Sequence, residues 1–230
     1  MRCSLIIVRY PKWMGWAGLL SMALFRLPLY FNKRIGFWKL LGCGRNGSFD
    51  IKPDWRQWGV MMVWNDDGTA IQTGSVPYFL SRWWLFFRCE VCRFNLVPVS
   101  GHGSWDGKTC FGHLPKHTSH EGKIAVLTRA TIRLTRLRQF WQHADSVAAP
   151  LRNTPGFIFS VGIGELPWIR QATFSVWENE EALKAYAYQT RQHAEVIRRT
   201  RQENWYSEEM FVRFNIIGIH GTLRGKNPLE

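Results

Sequence analysis

The sequence predicts an α+β fold built from two ferredoxin-like units in tandem, each running β-α-β-β-α-β. Three observations predict it. First, short strings recur at one spacing. Gly36-Phe37 returns as Gly156-Phe157 (157 − 37 = 120), and Arg93-Phe94-Asn95 returns as Arg213-Phe214-Asn215 (214 − 94 = 120). Arg9 matches Arg129 in the same register, and Gly42 and Gly44 match Gly162 and Gly164. His102-Gly103 and Gly107-Lys108 return as His220-Gly221 and Gly225-Lys226 with a two-residue gap. One register held at both ends of a half indicates duplication. Second, each half alternates strand-like apolar runs with helical stripes, the order of the ferredoxin-like motif. Third, 230 residues at 46% apolar composition, with no low-complexity run, suffice for one sizeable core or two small ones.

The elements follow in order. Residues 1–10 read as a strand. Residues 13–31 are the one membrane-like stretch, but Arg26 and Pro28 interrupt it, and a span needs about 20 mostly apolar residues. The repeat makes it the first helix instead. An offset of 120 gives it a core stripe of Ala17, Leu20, Leu24 and Leu27, matching Leu137, Phe140, Ala144 and Val147. Its other face is then also apolar, with Trp13, Trp16, Leu19, Met22 and Phe25, which predicts contact with a bilayer surface or a second subunit. The second helix of this half is short and carries Gly74 and Pro77. In the second half, the first strand runs over 123–132, and Thr135 is expected to cap the next helix. Pro155-Gly156 turns the chain into a hairpin, 157–164 and 171–177, whose loop holds Pro167. Asn179 caps a long helix with Glu180 and Glu181 in its first turn. The last strand spans 210–219. The expected division is 1–108, a linker at 109–121, and 122–230. Two such units pack sheet against sheet into a dimeric-α/β-barrel-type fold, with helices outside.

Lys plus Arg outnumber Asp plus Glu by 30 to 17, giving +13. The basic residues are scattered, and no nucleic-acid-binding signature is present, so nucleic acid is not expected as a partner. Thirteen Trp and fifteen Phe suit a pocket for a large flat or apolar ligand. Five Cys with no secretory signal before them point to free thiols in a reducing cytoplasm. Cys89, Cys92, Cys110 and His113 have a spacing that can hold zinc. Cys92 falls where Val212 falls in the other half, however, and ordinary packing explains the thiols, so no structural zinc is expected. No hydrolase, zincin or phosphate-loop motif occurs. Glu165 and Asp66 stand alone, without a paired acid.

His193 is the leading candidate for chemistry. Leu183, Tyr186, Thr190, His193, Ile197 and Arg201 share one helical face, which must pack on the sheet. The plain alternative is a buried histidine bonded to a neighbour. The matching helix of the first half has no histidine, so His193 belongs to the specialised copy. Arg198, Arg199 and Arg201 follow, either as a solvated face or as partners for carboxylates.

Several strings also resemble the spheroidene monooxygenase family. They are 37–42 (FWKLLG), 126–132 (VLTRATI), 160–165 (SVGIGE), 170–175 (RQATFS) and the run from His193 through Arg201 to Trp205-Tyr206. The resemblance covers nearly the whole chain and is densest over 123–215. It implies a haem monooxygenase of carotenoid biosynthesis, which places a keto group at C-2 of an acyclic carotenoid. It implies O2 as co-substrate, electrons from a ferredoxin or reductase, and His193 as axial ligand to the haem iron. Arg198 and Arg201 are then cofactor-binding candidates beside the propionates, and Arg129, Gln171 and Phe174 catalytic candidates. An acidic electron donor suits a +13 protein. The expected location is the cytoplasm, peripherally on the inner membrane, with a homo-oligomer possible. Another haem enzyme on the same barrel, or a haem- or lipid-binding protein without catalysis, stays open at this point.

Overall fold

The computed structural model describes residues 1–45, 52–65, 76–119, 121–142, 151, 154–166, 168–189, 198–200 and 202–229, with backbone alone at 188 and 189. Among the described residues there are eight strands: β1 (Cys3–Arg9), β2 (Ile35–Gly44), β3 (Pro53–Trp64), β4 (Glu90–Gly103), β5 (Ile124–Ile132), β6 (Phe157–Leu166), β7 (Arg170–Trp177) and β8 (Tyr206–Gly221). They form one closed antiparallel barrel in the order β1-β3-β2-β6-β7-β5-β8-β4. Each half contributes a β4-β1-β3-β2-type sheet, so the expected duplicated ferredoxin-like fold of the dimeric-α/β-barrel type is present. One seam is long, β4 against β8 from Cys92–Gly221 to Gly103–Met210. The other is short, with Gly42 on Gly164 and Cys43 on Ile163. Closure removes the free sheet edges that two separate units would expose.

The duplication is visible in backbone detail, and it corrects the register. Bulges lie at Ile35/Phe37 and Phe157/Phe159, and again at Gly42/Gly44 and Gly164/Leu166. These match at an offset of 122 (157 − 35; 164 − 42). Trp64 pairs with Ile35 as Trp177 pairs with Phe157, an offset of 113 (177 − 64). After β4 and β8 the left-handed residues Gly103, Asp106 and Gly107 return as Gly221, Arg224 and Gly225, an offset of 118 (221 − 103). Glu208 accepts hydrogen bonds from Ser104 Oγ and the Gly107 N–H, both at 2.8 Å. Glu90 does the same with Thr222 Oγ1 at 2.9 Å and the Gly225 N–H at 2.6 Å. The 120 read from sequence is therefore two residues out in the first two strands of each half, while the two-residue gap read after the last strands holds, and Arg9 corresponds to Thr131 rather than to Arg129. A slip of two preserves which side chains point inward, because strand side chains alternate with period two.

That alternation sorts the core into layers. The barrel interior is filled by residues such as Leu5, Ile7, Met61, Phe94, Leu127, Phe174 and Phe214. Outside the first sheet lie helices α1 (Gly15–Leu24), α2 (Arg26–Tyr30) and α3 (Tyr78–Phe86), packed through Ala17, Phe25, Leu29, Leu80 and Trp84. Outside the second sheet lies α4 (Glu180–Gln189), packed through Leu183 and Tyr186 on Ile124, Val126 and Trp177.

Three local expectations change. The buried face of α1 is Ala17, Gly18 and Ser21, with Phe25 after it, while Leu20, Leu24 and Leu27 are exposed. Small residues are selected because α1 approaches the sheet closely: a Cβ on Gly18 would lie 2.1 Å from the Trp58 indole nitrogen. Pro77 precedes α3 rather than weakening its interior, as suits a residue that lacks an N–H. Thr135 lies inside a 3-10 turn, Leu134–Arg136, whose N-terminus has no side-chain cap. Asn179 does cap α4, accepting from the Ala182 N–H at 2.8 Å.

Candidate functional site

The outward faces of the two sheets carry residues of different size and polarity. In the first sheet that face carries Ile6, Val8, Trp38, Leu40, Val60 and Met62, all buried or packed under helices. Through the offsets 122 and 113, their counterparts in the second sheet are Thr128, Ala130, Ser160, Gly162, Thr173 and Ser175. Nearly every one is smaller, more polar or both. Ile6 is 0% exposed, whereas Thr128, in the middle of a central strand, is exposed.

Strand register lines these residues into one row across five strands. His102 pairs with Phe211, Phe211 with Thr128, Thr128 with Thr173, and Thr173 with Gly162. His102 stacks on Phe211 at 5.9 Å between ring centroids. The Thr173 hydroxyl is buried and has no hydrogen-bond partner among the described residues. A buried hydroxyl without a partner costs about 1–3 kcal/mol, so it marks a place where a ligand group would be welcome. Beside the row, Arg213 fixes α4 over the sheet. It reaches Glu180 in the first turn of α4 at 3.9 Å and Ser100 Oγ at 3.5 Å, and lies over the Phe211 ring at 5.0 Å.

The expected site residues divide between layers. His193 and Arg201 lie outside the described residues. Leu183 and Tyr186, the first members of their stripe, do face the second sheet. Arg198 is exposed and donates to Gln202 Oε1 at 3.2 Å. Gln171 alternates with the inward Ala172 and so shares the groove face, donating to the Leu166 carbonyl at 3.3 Å. Phe174 is fully buried inside the barrel, edge-on to Phe94 at 5.0 Å. Arg129 also points inward, so neither of these two faces the groove.

Arg129 instead organises a second cluster at one end of the barrel, and here sequence reasoning missed residues. Arg129 donates to Glu208 at 2.6 Å, approaches Glu165 at 3.4 Å and Asp106 at 3.7 Å, and lies over the Trp105 ring. Lys39 bridges Asp106 and Glu165, and Arg170 lies 3.3 Å from Asp106. Glu165 is thus far from isolated; Asp66 lies outside the described residues. Burial pushes the Glu208 carboxyl up, but the Gly107 and Ser104 hydrogen bonds and the Arg129 guanidinium outweigh it and lower its pKa to about 2. Three acids from strands and turns far apart in sequence meet only because the barrel closes, which no local motif announces. Three cations face three carboxylates here, although the buried Arg129 Nε has no hydrogen-bond partner among the described residues. The four residues of the zinc-like spacing do not share one site: Cys92 lies in the barrel core, Cys89 packs under the helices, and His113 and Cys110 line a cavity of about 220 Å³ beside Gly101–Gly103.

Three comparisons bear on this arrangement. A family model described as a domain of unknown function (DUF3291) matches residues 122–214, the half that carries the small, polar outward row. Curated proteins named spheroidene monooxygenase are similar over most of the chain. That of Cereibacter sphaeroides is 33% identical over 205 residues, covering 89% of this chain and 63% of that protein. That of Rhodobacter capsulatus is 32% identical over 213 residues, covering 91% and 87%. That of Rubrivivax gelatinosus is 35% identical over 190 residues, covering 83% and 72%. The chain therefore spans less than two thirds of the Cereibacter protein. Among solved structures, an aldoxime dehydratase crystallised with butyraldoxime superposes with a TM-score of 0.62 at 9% identity, covering 94% of this chain and 79% of that one. At that identity the likeness is one of fold.

Proposed function

The chain belongs to the spheroidene monooxygenase family, and from that premise we propose that it oxygenates the end of an acyclic, spheroidene-like carotenoid to a 2-keto product. In this reading the second repeat, 122–230, holds a haem in the groove over Thr128, Thr173 and Gly162, and 109–121 links the repeats. The small, polar outward row of the second sheet is the observation that supports it. A flat macrocycle needs clearance between sheet and helix, and the residues that fill this space in the first copy are trimmed in the second. The unpartnered Thr173 hydroxyl suits a polar edge or a bound water.

His193 is the residue proposed to hold the haem iron; by helical spacing it belongs to the stripe that begins with Leu183 and Tyr186, which pack on the sheet. Arg198 and Arg201 are proposed partners for the propionates, and Gln171 a polar group on the groove face. Arg129 and Phe174, placed inside the barrel, act by holding its end and its core rather than by touching substrate. Bound haem would supply O2 activation. Each oxygenation puts one oxygen atom into a C–H bond and reduces the other to water, using two electrons and two protons from a ferredoxin or reductase. Two rounds at one carbon give a geminal diol, which loses water to the ketone. The substrate is long and apolar, so the enzyme must work where carotenoid is, at the cytoplasmic face of the inner membrane.

The test is expression in cells that accumulate an acyclic carotenoid, with pigment extraction and purification of the protein in parallel. The expected result is a ketocarotenoid and a Soret band, both lost in His193→Ala. A Soret band with unchanged pigment would leave only the small-substrate or binding readings, and an unchanged band in His193→Ala would move the ligand to His102, which lies on the groove row.

A further inference from the structure

The helices over the first sheet carry small residues inward and large ones outward. Ala17, Gly18 and Ser21 are buried, while Trp16, Leu19, Leu20, Leu24 and Leu27 are exposed. That is the reverse of what water selects on a surface helix. α3 extends the same surface. It is joined to α1 and α2 through Phe25, whose ring lies 5.8 Å from Phe79 and 5.9 Å from Trp83. On it Tyr78, Leu85 and Phe86 are 77%, 68% and 79% exposed. Single exposed apolar residues need no explanation, but a contiguous patch marks a site of contact.

The charge around the patch says what the contact is. No Asp or Glu occurs in 11–34 or 77–89, while Lys12, Arg26, Lys33, Arg34, Arg82 and Arg88 do, all exposed. Two of these cations lie over exposed aromatic rings, Lys12 over Trp13 at 5.5 Å and Arg82 over Tyr78 at 5.9 Å. Trp and Tyr beside cations suit the headgroup layer, where an aromatic body meets lipid and the charge meets phosphate. Among the described residues, no helix is long and apolar enough to cross a membrane. We infer that α1, α2 and α3 together form a peripheral docking surface for an anionic lipid bilayer. A second copy of this chain is disfavoured as the occupant, because a two-fold interface would set the same cations against each other. The duplicated copies thereby divide the work: the outer face of one carries the small, polar row proposed to take a cofactor, and the outer layer of the other is turned toward lipid.

The inference rests on the proposed function only for its reason to be at a membrane, and the test separates the two. Purified protein is floated with vesicles of phosphatidylglycerol and phosphatidylcholine, and with phosphatidylcholine alone, with no carotenoid present. Wild type rises with the anionic vesicles, and binding drops about tenfold or more on neutral vesicles or in high salt. Trp13→Glu with Leu27→Glu and Phe86→Glu abolishes flotation, as does Lys12→Glu with Lys33→Glu and Arg34→Glu, with circular dichroism unchanged in both. Wild type that stays down with anionic vesicles overturns the inference. So does unimpaired flotation of either variant, or an aromatic variant that turns a dimer into a monomer without altering flotation. Flotation together with unconverted pigment in cells counts against the carotenoid reading alone.

Discussion

At the scale of single residues, the tightest electrostatic arrangement is Glu208. It accepts two hydrogen bonds from the 104–107 turn and one from Arg129, which hold its carboxyl near a pKa of about 2. An unfolded glutamate titrates at about 4.3. A lowered native pKa contributes stability that is complete above the unfolded value and lost as pH falls through the native one. The barrel therefore loses on the order of 2 kcal/mol between about pH 4.5 and pH 2 from this group. Glu208→Gln should flatten urea-derived stability across that window and cost about 1–3 kcal/mol at pH 7. A variant with the wild-type acid slope would show that the charge is not what the turn holds. Neither this residue nor Thr128 and Thr173 carries a local signature. Threonine in a strand is ordinary, and only its comparison with Ile6 and Val60 at the structural offsets shows that something bulky is missing. His193 is proposed from helical spacing and from the lack of a histidine on the matching helix of the first copy, and it lies outside the described residues.

At the scale of elements, the strands were readable because alternation and the repeat agree, and a two-residue slip in offset leaves inward residues inward. Helices do not forgive such a slip, since two positions on a helix turn the face by about 200°. That is why the stripe Ala17, Leu20, Leu24, Leu27 was expected and Ala17, Gly18, Ser21 is observed. The close contact of α1 with β3 explains the choice of small residues. Gly18 lies under the Trp58 indole, whose N–H is already committed to the Trp55 carbonyl at 2.9 Å. Gly18→Ala should push α1 off the sheet and cost about 1–3 kcal/mol despite the higher helix propensity of alanine. Thermal melts or urea curves read this directly. A stabilised variant would mean that α1 can slide freely over the sheet.

At the scale of the whole molecule, fusion of two ferredoxin-like units into one chain lets the outer layers diverge while the barrel stays shared. The interior is packed with residues from both halves. The layers outside carry the differences: large apolar residues over the first sheet, small and polar ones over the second. The sequence resemblance is densest over the second half, and the strand register shows which of its faces carries the smaller, more polar residues. The most direct test of the central claim is haem titration of a variant in which the second copy regains the first copy's residues, Thr128→Ile with Gly162→Leu. These are Ile6 and Leu40 placed at their structural counterparts, so sheet and barrel should tolerate them. The account predicts wild-type circular dichroism with haem bound per chain reduced about tenfold or more, because the clearance is gone. Undiminished haem binding by a folded variant would place the cofactor elsewhere and contradict the account.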